Sequence, residues 1–110
     1  MNPFDIYITY VSWNGNGKTR PVLIINQQDA VVYVFNITTQ YEGKSDVIRA
    51  GYFTINDWKA AGLDRQSYVD TNTVRDIPAA VFGDKKEIGR LSAADEIRLV
   101  QFINQLNESF

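Results

Sequence analysis

The sequence contains no cysteine and no histidine among its 110 residues. The lack of cysteine excludes disulfide bonds and thiolate metal sites. The lack of histidine removes the most common metal ligand and the usual general base of enzymes. Any catalysis must therefore depend on arginine, lysine, serine, threonine, tyrosine or carboxylate side chains, and no metal site or cofactor is predicted.

The chain also has no excess of positive charge and no long apolar run. Eleven basic and 13 acidic residues give a formal net charge of -2, so bulk electrostatics makes no case for a nucleic-acid binder. No apolar stretch approaches the roughly 18 residues of a membrane span, and the N-terminus lacks a signal-peptide pattern. With 45% hydrophobic and 22% charged residues, we expect one globular, cytoplasmic domain over residues 1–110, without membrane association.

A glycine-containing segment, Gly15-Asn16-Gly17-Lys18-Thr19, ends like a phosphate-binding P-loop. The full motif requires a glycine where this chain has Ser12, and it requires a helix after the threonine. Pro21 and the apolar run behind it predict a strand there instead. We therefore interpret the segment as a polar loop and exclude a nucleotide-binding role.

Two apolar runs dominate the pattern, and each is rich in β-branched and aromatic residues. They predict strands at Arg20–Gln27 and Val31–Thr39, joined by a hairpin turn. The first strand begins with Arg20 and the second ends with Thr38 and Thr39. A permanent cation and two hydroxyls are thus placed at strand ends, where side chains can face solvent.

The rest of the chain predicts further short strands and two helices. Strands are expected at Phe4–Val11, Asp46–Ala50, Ser67–Asp70 and Thr73–Ile77, and a short helix over Thr54–Gly62. In the first strand, Ile6, Ile8 and Tyr10 are expected to lie on one face. We therefore predict a mainly β (α+β) fold, a small and partly open barrel with a short helical insertion and a C-terminal helix.

The C-terminal helix has its own start signal and apolar face. Ser92 is expected to cap it, with Asp95 at the third helical position. Helical spacing predicts that one face packs on the barrel and the other is solvated. The residues expected on the packed face are Leu99, Val100, Ile103 and Leu106.

Taken in order, these features resemble the MazF/PemK family of toxin endoribonucleases. The segments that carry the resemblance are Asp5–Tyr7, the Arg-Pro strand at Arg20–Ile25, Asn36–Thr39, Ala61–Leu63, Ser67–Asp70, Val74–Ile77 (similar to the family's Arg-Thr-Ile-Asp) and Ile88–Ser92. The resemblance implies the toxin of a type II toxin–antitoxin pair, a homodimer whose partner is a cognate antitoxin protein. It further implies metal-independent, sequence-selective cleavage of single-stranded RNA (mRNA).

The same resemblance implies that Arg20 and Thr38 are the catalytic pair. Cleavage of RNA by its own 2′-hydroxyl needs an in-line geometry and a positive charge on the developing phosphorane. A guanidinium suits phosphate oxygens through paired hydrogen bonds, and a threonine hydroxyl can donate to the same group. The chemistry of these two side chains is therefore consistent with the implied role.

Five further residues are predicted to contact RNA: Trp13, Asn14, Lys18, Thr39 and Asn72. Trp13 either stacks on a base or packs in the core. Asn72 stands where some family members carry a catalytic aspartate, with Asp70 and Asp76 nearby but out of register. Together with the lack of histidine, this predicts a minimal mechanism based on arginine and threonine.

A nuclease with a net charge of -2 requires a local positive patch. The candidate residues for it are Lys18, Arg20, Lys44, Arg49 and Arg75. Two alternatives stay open. One is a gyrase-poisoning toxin of the CcdB branch, which shares the barrel and acts through its terminal helix, and the other is a catalytically inactive binding module. The strand-end positions of Arg20 and Thr38 favour the nuclease.

Overall fold

The computed structural model describes residues 1–13, 15–83, 85 and 87–108, with only the backbone of Trp13. Over these residues the chain forms six strands and three helices, within 35 × 32 × 27 Å. The strands are β1 (Asp5–Trp13), β2 (Asn16–Gln28), β3 (Val31–Thr38), β4 (Tyr52–Thr54), β5 (Tyr68–Pro78) and β6 (Glu87–Arg90). The helices are α1 (Asp46–Arg49), α2 (Ala79–Phe82) and α3 (Ala93–Glu108).

All six strands belong to one sheet in the order β4-β5-β3-β2-β1-β6, and every neighbouring pair is antiparallel. Within the described ranges, β4 and β6 form the two edges and do not pair with each other, so the sheet stays open. The prediction of a mainly β, partly open architecture with a C-terminal helix is confirmed. No helix in the described part of the chain is long and apolar enough to cross a membrane.

The central strands are covered on both faces, which explains why their sequences are continuously apolar rather than alternating. One face packs beneath α3 and holds a core that includes Leu23, Phe35, Ile37, Phe53, Val69 and Leu99. The opposite face packs beneath α2 and holds Val11, Val22, Ile24, Val32, Val34, Ile77 and Phe82. The β2–β3 hairpin therefore contributes to two cores at once.

The helix predicted over Thr54–Gly62 is wrong. Thr54 ends the edge strand β4, and residues 56–62 form turns. The buried carboxylate of Asp95 accepts hydrogen bonds from the backbone N–H groups of Asn56 (3.4 Å) and Asp57 (2.8 Å). Within the segment, the N–H groups of Ala61, Gly62 and Leu63 donate to carbonyls four, three and five residues earlier. This mixed spacing forms turns instead of the regular ladder of an α-helix.

The strand predicted over Asp46–Ala50 is also wrong, because this segment forms α1. The hydroxyl of Ser45 accepts a hydrogen bond from the N–H of Ile48 at 3.3 Å, an N-cap that the sequence interpretation missed. Val47 is 82% exposed. The apolar residues that indicated a strand are therefore not part of a buried sheet.

Ile6, Ile8 and Tyr10 lie on one face of β1, because its register with β2 is unbroken over these residues. Ile6 is fully buried, whereas Ile8 and Tyr10 are exposed. Thr9 and Val11, on the opposite face of the strand, are buried instead. At the beginning of β1, Ile6 packs in the core beneath α3. Towards the end of the strand, Val11 packs in the second core, on the opposite face of the sheet.

Helix α3 confirms its predicted cap, because the Ser92 hydroxyl accepts a hydrogen bond from the N–H of Asp95 at 3.2 Å. Leu99 is buried, and Ile103 packs against the first core. Val100 is 46% exposed, so its predicted place on the packed face is wrong.

Candidate active site

The register of the β2–β3 hairpin brings the two predicted catalytic residues together. The β2–β3 ladder ends at the pair formed by Val22 and Asn36, and Arg20 and Thr38 each lie two residues beyond that pair on their own strands. Opposite residues of an antiparallel pair, and residues two apart in one strand, point to the same face. Arg20, Asn36 and Thr38 therefore project from the face that carries Val34 in the second core.

These side chains line a groove of about 340 Å³. Its other lining residues include Lys18, Thr39, Lys44, Tyr52, Asp70 and Arg75. Four cations thus meet a single carboxylate in the lining, in a chain whose net charge is -2. Clefts that concentrate one sign of charge attract the opposite charge, so the groove suits a polyanion.

Arg49, the fifth residue considered for the positive patch, does not line this groove. Its guanidinium lies over the ring of Tyr41 at 4.7 Å, and its Nε donates to the Tyr41 carbonyl at 3.1 Å. It also pairs with Glu42 at 3.4 Å. Arg49 is thereby engaged in holding the loop before α1.

The threonine at the end of β3 has a fixed hydroxyl. Thr38 Oγ1 accepts a hydrogen bond from the N–H of Gln40 at 3.1 Å. Because a hydroxyl both accepts and donates, this contact leaves the proton of Thr38 available for a ligand in the groove.

A bulge in β5 supplies the opposite wall of the groove. Asp70 pairs with Asn36, but the next pair is Val74 with Phe35, so residues 71–73 have no partner in β3. Residues five positions apart in a regular strand point to opposite faces. Because the bulge takes up three residues, Asp70 and Arg75 pair with Asn36 and Val34, which are only two positions apart on β3. Asp70 and Arg75 therefore point to the same face and line the same groove.

Hydrogen bonds to the loop between α1 and β4 hold the bulge in place. The carbonyl oxygen of Gly51 accepts from the N–H of Thr71 at 2.9 Å and from its hydroxyl at 2.7 Å. The side-chain amide of Asn72 donates to the carbonyl of Ile48 at 3.0 Å and to Asp70 Oδ1 at 2.9 Å. A Cβ at Gly51 would collide with the Asn72 amide, so a larger residue there would displace this amide from its hydrogen bonds.

Asn72 consequently lies beside the groove rather than in its lining. Its backbone N–H also donates to Asp70 Oδ1, at 3.0 Å, so both of its donors hold the carboxylate that faces the groove. The predicted contact of Asn72 with RNA stays a prediction.

The remaining predicted RNA contacts have different outcomes. Lys18 and Thr39 line the groove beside Arg20 and Thr38. Trp13 ends β1, and its side chain lies outside the described part of the structure. Asn14 lies outside the described residues altogether.

Tyr52 is a lining residue that the sequence interpretation missed. It pairs with Asp70 across β4 and β5, and only 9% of it is exposed. Burial and the negative charge of Asp70 raise the pKa of Tyr52, while the nearby charge of Arg20 lowers it in part. The hydroxyl therefore stays protonated at neutral pH and can act as a donor.

The ring of Tyr52 belongs to an aromatic cluster behind the groove. Tyr41 and Tyr68 stack with ring centroids 4.7 Å apart, and the Tyr52 ring lies 6.2 Å and 6.3 Å from them. Such contacts fix ring orientation. Only the assembled edge of the sheet reveals this cluster, because its members come from β4, β5 and the loop after β3.

Comparison with known proteins supports the fold and the family at once. The sequence profile of the PemK-like, MazF-like toxin of type II toxin–antitoxin systems matches residues 2–107. The Mycobacterium tuberculosis toxin MazF-mt6 has a similar structure, with a TM-score of 0.67, 26% identity, and coverage of 94% of this chain and 96% of that one. The crystal structure of an Mtb toxin gives a TM-score of 0.57 and 28% identity, covering 78% and 90% of the two chains. No curated protein sequence matches.

Proposed function

Because the chain belongs to the PemK-like, MazF-like toxin family of type II toxin–antitoxin systems, we propose that it is an endoribonuclease acting on single-stranded RNA. The observation that carries the proposal is that Arg20 and Thr38, each two residues beyond the pair Val22–Asn36, line the same cationic groove. Proteins recognise single-stranded RNA through exposed backbone and splayed bases, which an open groove can accept.

Arg20 and Thr38 bind the scissile phosphate in this proposal. The guanidinium holds the non-bridging oxygens through charge-assisted hydrogen bonds. The Thr38 hydroxyl, oriented by the N–H of Gln40, donates its proton to the same group. Both contacts strengthen as negative charge builds up on the phosphorane, which is how fixed donors lower a reaction barrier.

Two further side chains complete the proton transfers. The 2′-oxygen forms a bond with phosphorus while the bond from phosphorus to the 5′-oxygen breaks. Asp70 takes the proton of the 2′-hydroxyl, and Tyr52 gives a proton to the leaving 5′-oxygen. A proton then returns from Asp70 to Tyr52 through solvent, so the enzyme is regenerated. The products are a 2′,3′-cyclic phosphate and a free 5′-hydroxyl.

We propose that this reaction needs no divalent ion, because the positive charge of Arg20 supplies the stabilisation of the phosphorane. The chain has no histidine or cysteine to hold a soft metal. In the described residues, no three acidic side chains gather where they could hold a metal ion. Activity in the presence of a chelator tests the proposal.

We propose a homodimer in which α3 contributes to the contact. Ile97 and Val100 are three residues apart on this helix and are 60% and 46% exposed, so they form an apolar stripe on its outer face. Symmetric dimers are the most common way to cover such a surface. Light scattering is expected to give a dimer at micromolar concentration, and a monomer would contradict this.

The activity itself is tested with a labelled RNA of mixed sequence, offered as a single strand and as a duplex in a buffer with chelator. We expect cleavage of the single strand at few sites and little cleavage of the duplex. Inhibition of gyrase without RNA cleavage would overturn the proposal in favour of a gyrase-poisoning toxin. Binding of RNA without cleavage would instead support an inactive binding module.

A further inference from the structure

Asn36 lines the groove and carries a buried side-chain oxygen that has no hydrogen-bond partner among the described residues. Only 8% of the residue is exposed, and the unpaired atom is Oδ1. Leaving a buried acceptor unpaired costs free energy, so such groups are rare in native structures. A ligand that donates a hydrogen bond at this point would recover that cost.

The position of Asn36 relative to the phosphate site follows from the sheet. Asn36 lies two residues before Thr38 on the same face of β3, between Val22 of β2 and Asp70 of β5. Neighbouring strands are about 4.8 Å apart, and same-face residues of one strand about 7 Å. Asn36 is therefore one same-face position away from Thr38 along β3, within the reach of one nucleotide.

The chemistry of RNA restricts which of its groups can meet this amide oxygen. Phosphate oxygens are acceptors, so they cannot satisfy another acceptor. The 2′-hydroxyl is the hydrogen-bond donor of the RNA backbone. It belongs to the nucleotide on the 5′ side of the scissile phosphate and is separated from that phosphate by only a few bonds.

Resting on the proposed function, we infer that Asn36 positions the attacking nucleophile by accepting a hydrogen bond from this 2′-hydroxyl. An amide oxygen cannot take up the proton at neutral pH, so Asn36 orients the hydroxyl and does not deprotonate it. Asp70 is the direct partner of Asn36 in the β3–β5 ladder and receives the proton. The 2′-oxygen then attacks phosphorus as described above, with no further reactant. The same contact distinguishes RNA from DNA.

The inference is tested by combining a change in the protein with a change in one atom of the ligand. Two single-stranded oligonucleotides carry a methylene group in place of the leaving 5′-oxygen, so neither is cleaved. One has a 2′-hydroxyl at the scissile nucleotide and the other has hydrogen. We expect the wild-type chain to bind the hydroxyl form about fivefold to tenfold more tightly, the usual effect of one hydrogen bond.

In Asn36→Leu, which keeps a similar side-chain volume, this affinity ratio is expected to fall to about one. Asn36→Asp retains an acceptor and is expected to keep the preference for the hydroxyl form. Asn26→Leu is the matched control, since Asn26 is exposed and does not line the groove. Asn36→Leu should also melt no lower than the wild-type chain, because it removes an unpaired buried oxygen.

A wild-type affinity ratio of one would overturn the inference, and so would a ratio that persists in Asn36→Leu. A ratio that follows the identity of the base instead of the 2′ substituent would show that the amide reads a base, which also overturns it. Cleavage of an unmodified RNA is measured in parallel. Failure of the wild-type chain to cleave would contradict the proposed function, whereas cleavage with a ratio of one would contradict only the role of Asn36.

Discussion

Asn36 of β3 pairs with Asp70 of β5, and the ladder then skips three residues before Phe35 pairs with Val74. This bulge decides which side chains of β5 reach the groove. If residues 70–75 formed a regular strand without the bulge, Asp70 and Arg75 would point to opposite faces of the sheet. The charge balance of the candidate site therefore depends on a local irregularity and on the contacts that stabilise it.

Substitution of Asn72 tests whether the bulge affects catalysis through Asp70. Asn72→Ala removes the side-chain amide that donates to Asp70 and to the Ile48 carbonyl. If Asn72 acts through Asp70, kcat falls by about tenfold, the effect of roughly one hydrogen bond, with little change in KM. Steady-state cleavage kinetics, with the exposed Asn104→Ala as control, make the comparison. An increase in KM at constant kcat would instead support the predicted direct contact with RNA.

Two tyrosines predict how stability responds to alkaline pH. Burial, followed by nearby negative charge, raises the pKa of Tyr7, and burial and Asp70 raise that of Tyr52. The folded chain therefore favours the neutral phenols. Their contribution to stability is complete below the unfolded pKa of about 10 and is lost as the pH rises further.

Urea titrations at pH 8 and pH 10.5 should show a smaller loss of stability in the double variant Tyr7→Phe, Tyr52→Phe than in the wild-type chain. Equal losses would contradict the assignment.

Asp95 is predicted to be the main polar anchor of α3. It is buried, accepts from two backbone N–H groups of the preceding turn segment, and pairs with Arg98 at 2.7 Å. Asp95→Ala should lower the free energy of unfolding by about 3 kcal/mol, because it leaves these donors unpaired. The control Glu96→Gln breaks a more exposed pair with Arg90 and should cost less than about 1 kcal/mol. Chemical denaturation measures both, and similar losses would show that Asp95 is not a special anchor.

The parts of the fold that the sequence predicted correctly depend on local contacts. The β2–β3 hairpin follows from two apolar runs and a short turn, and Ser92 caps α3 through a residue three positions away. Arg20 and Thr38 belong to that same hairpin. Their approach therefore required no knowledge of the rest of the chain.

The parts that were missed depend on contacts between distant segments. The predicted helix over Thr54–Gly62 is replaced by turns, whose backbone is bound by Asp95, 38 residues after Asp57. Tyr52 reaches the groove because the edge strand β4 pairs with β5, and Asp70 reaches it because β5 pairs with β3. Asp70 accepts a hydrogen bond from the N–H of Asn72, a local contact, and the register also places it in the lining of the groove. No pattern within one segment indicates such a double role.

The central claim is that the groove around Arg20 and Thr38 is the active site, and single-turnover cleavage of a labelled single-stranded RNA in chelator tests it most directly. Arg20→Ala and Thr38→Val are compared with the wild-type chain and with Arg65→Ala, an exposed arginine outside the groove. We expect each groove variant to lose about a hundred- to a thousandfold in rate, while Arg65→Ala cleaves normally and leaves a 2′,3′-cyclic phosphate. Undiminished cleavage by Arg20→Ala, or products with a 3′-hydroxyl and a 5′-phosphate, would contradict the account.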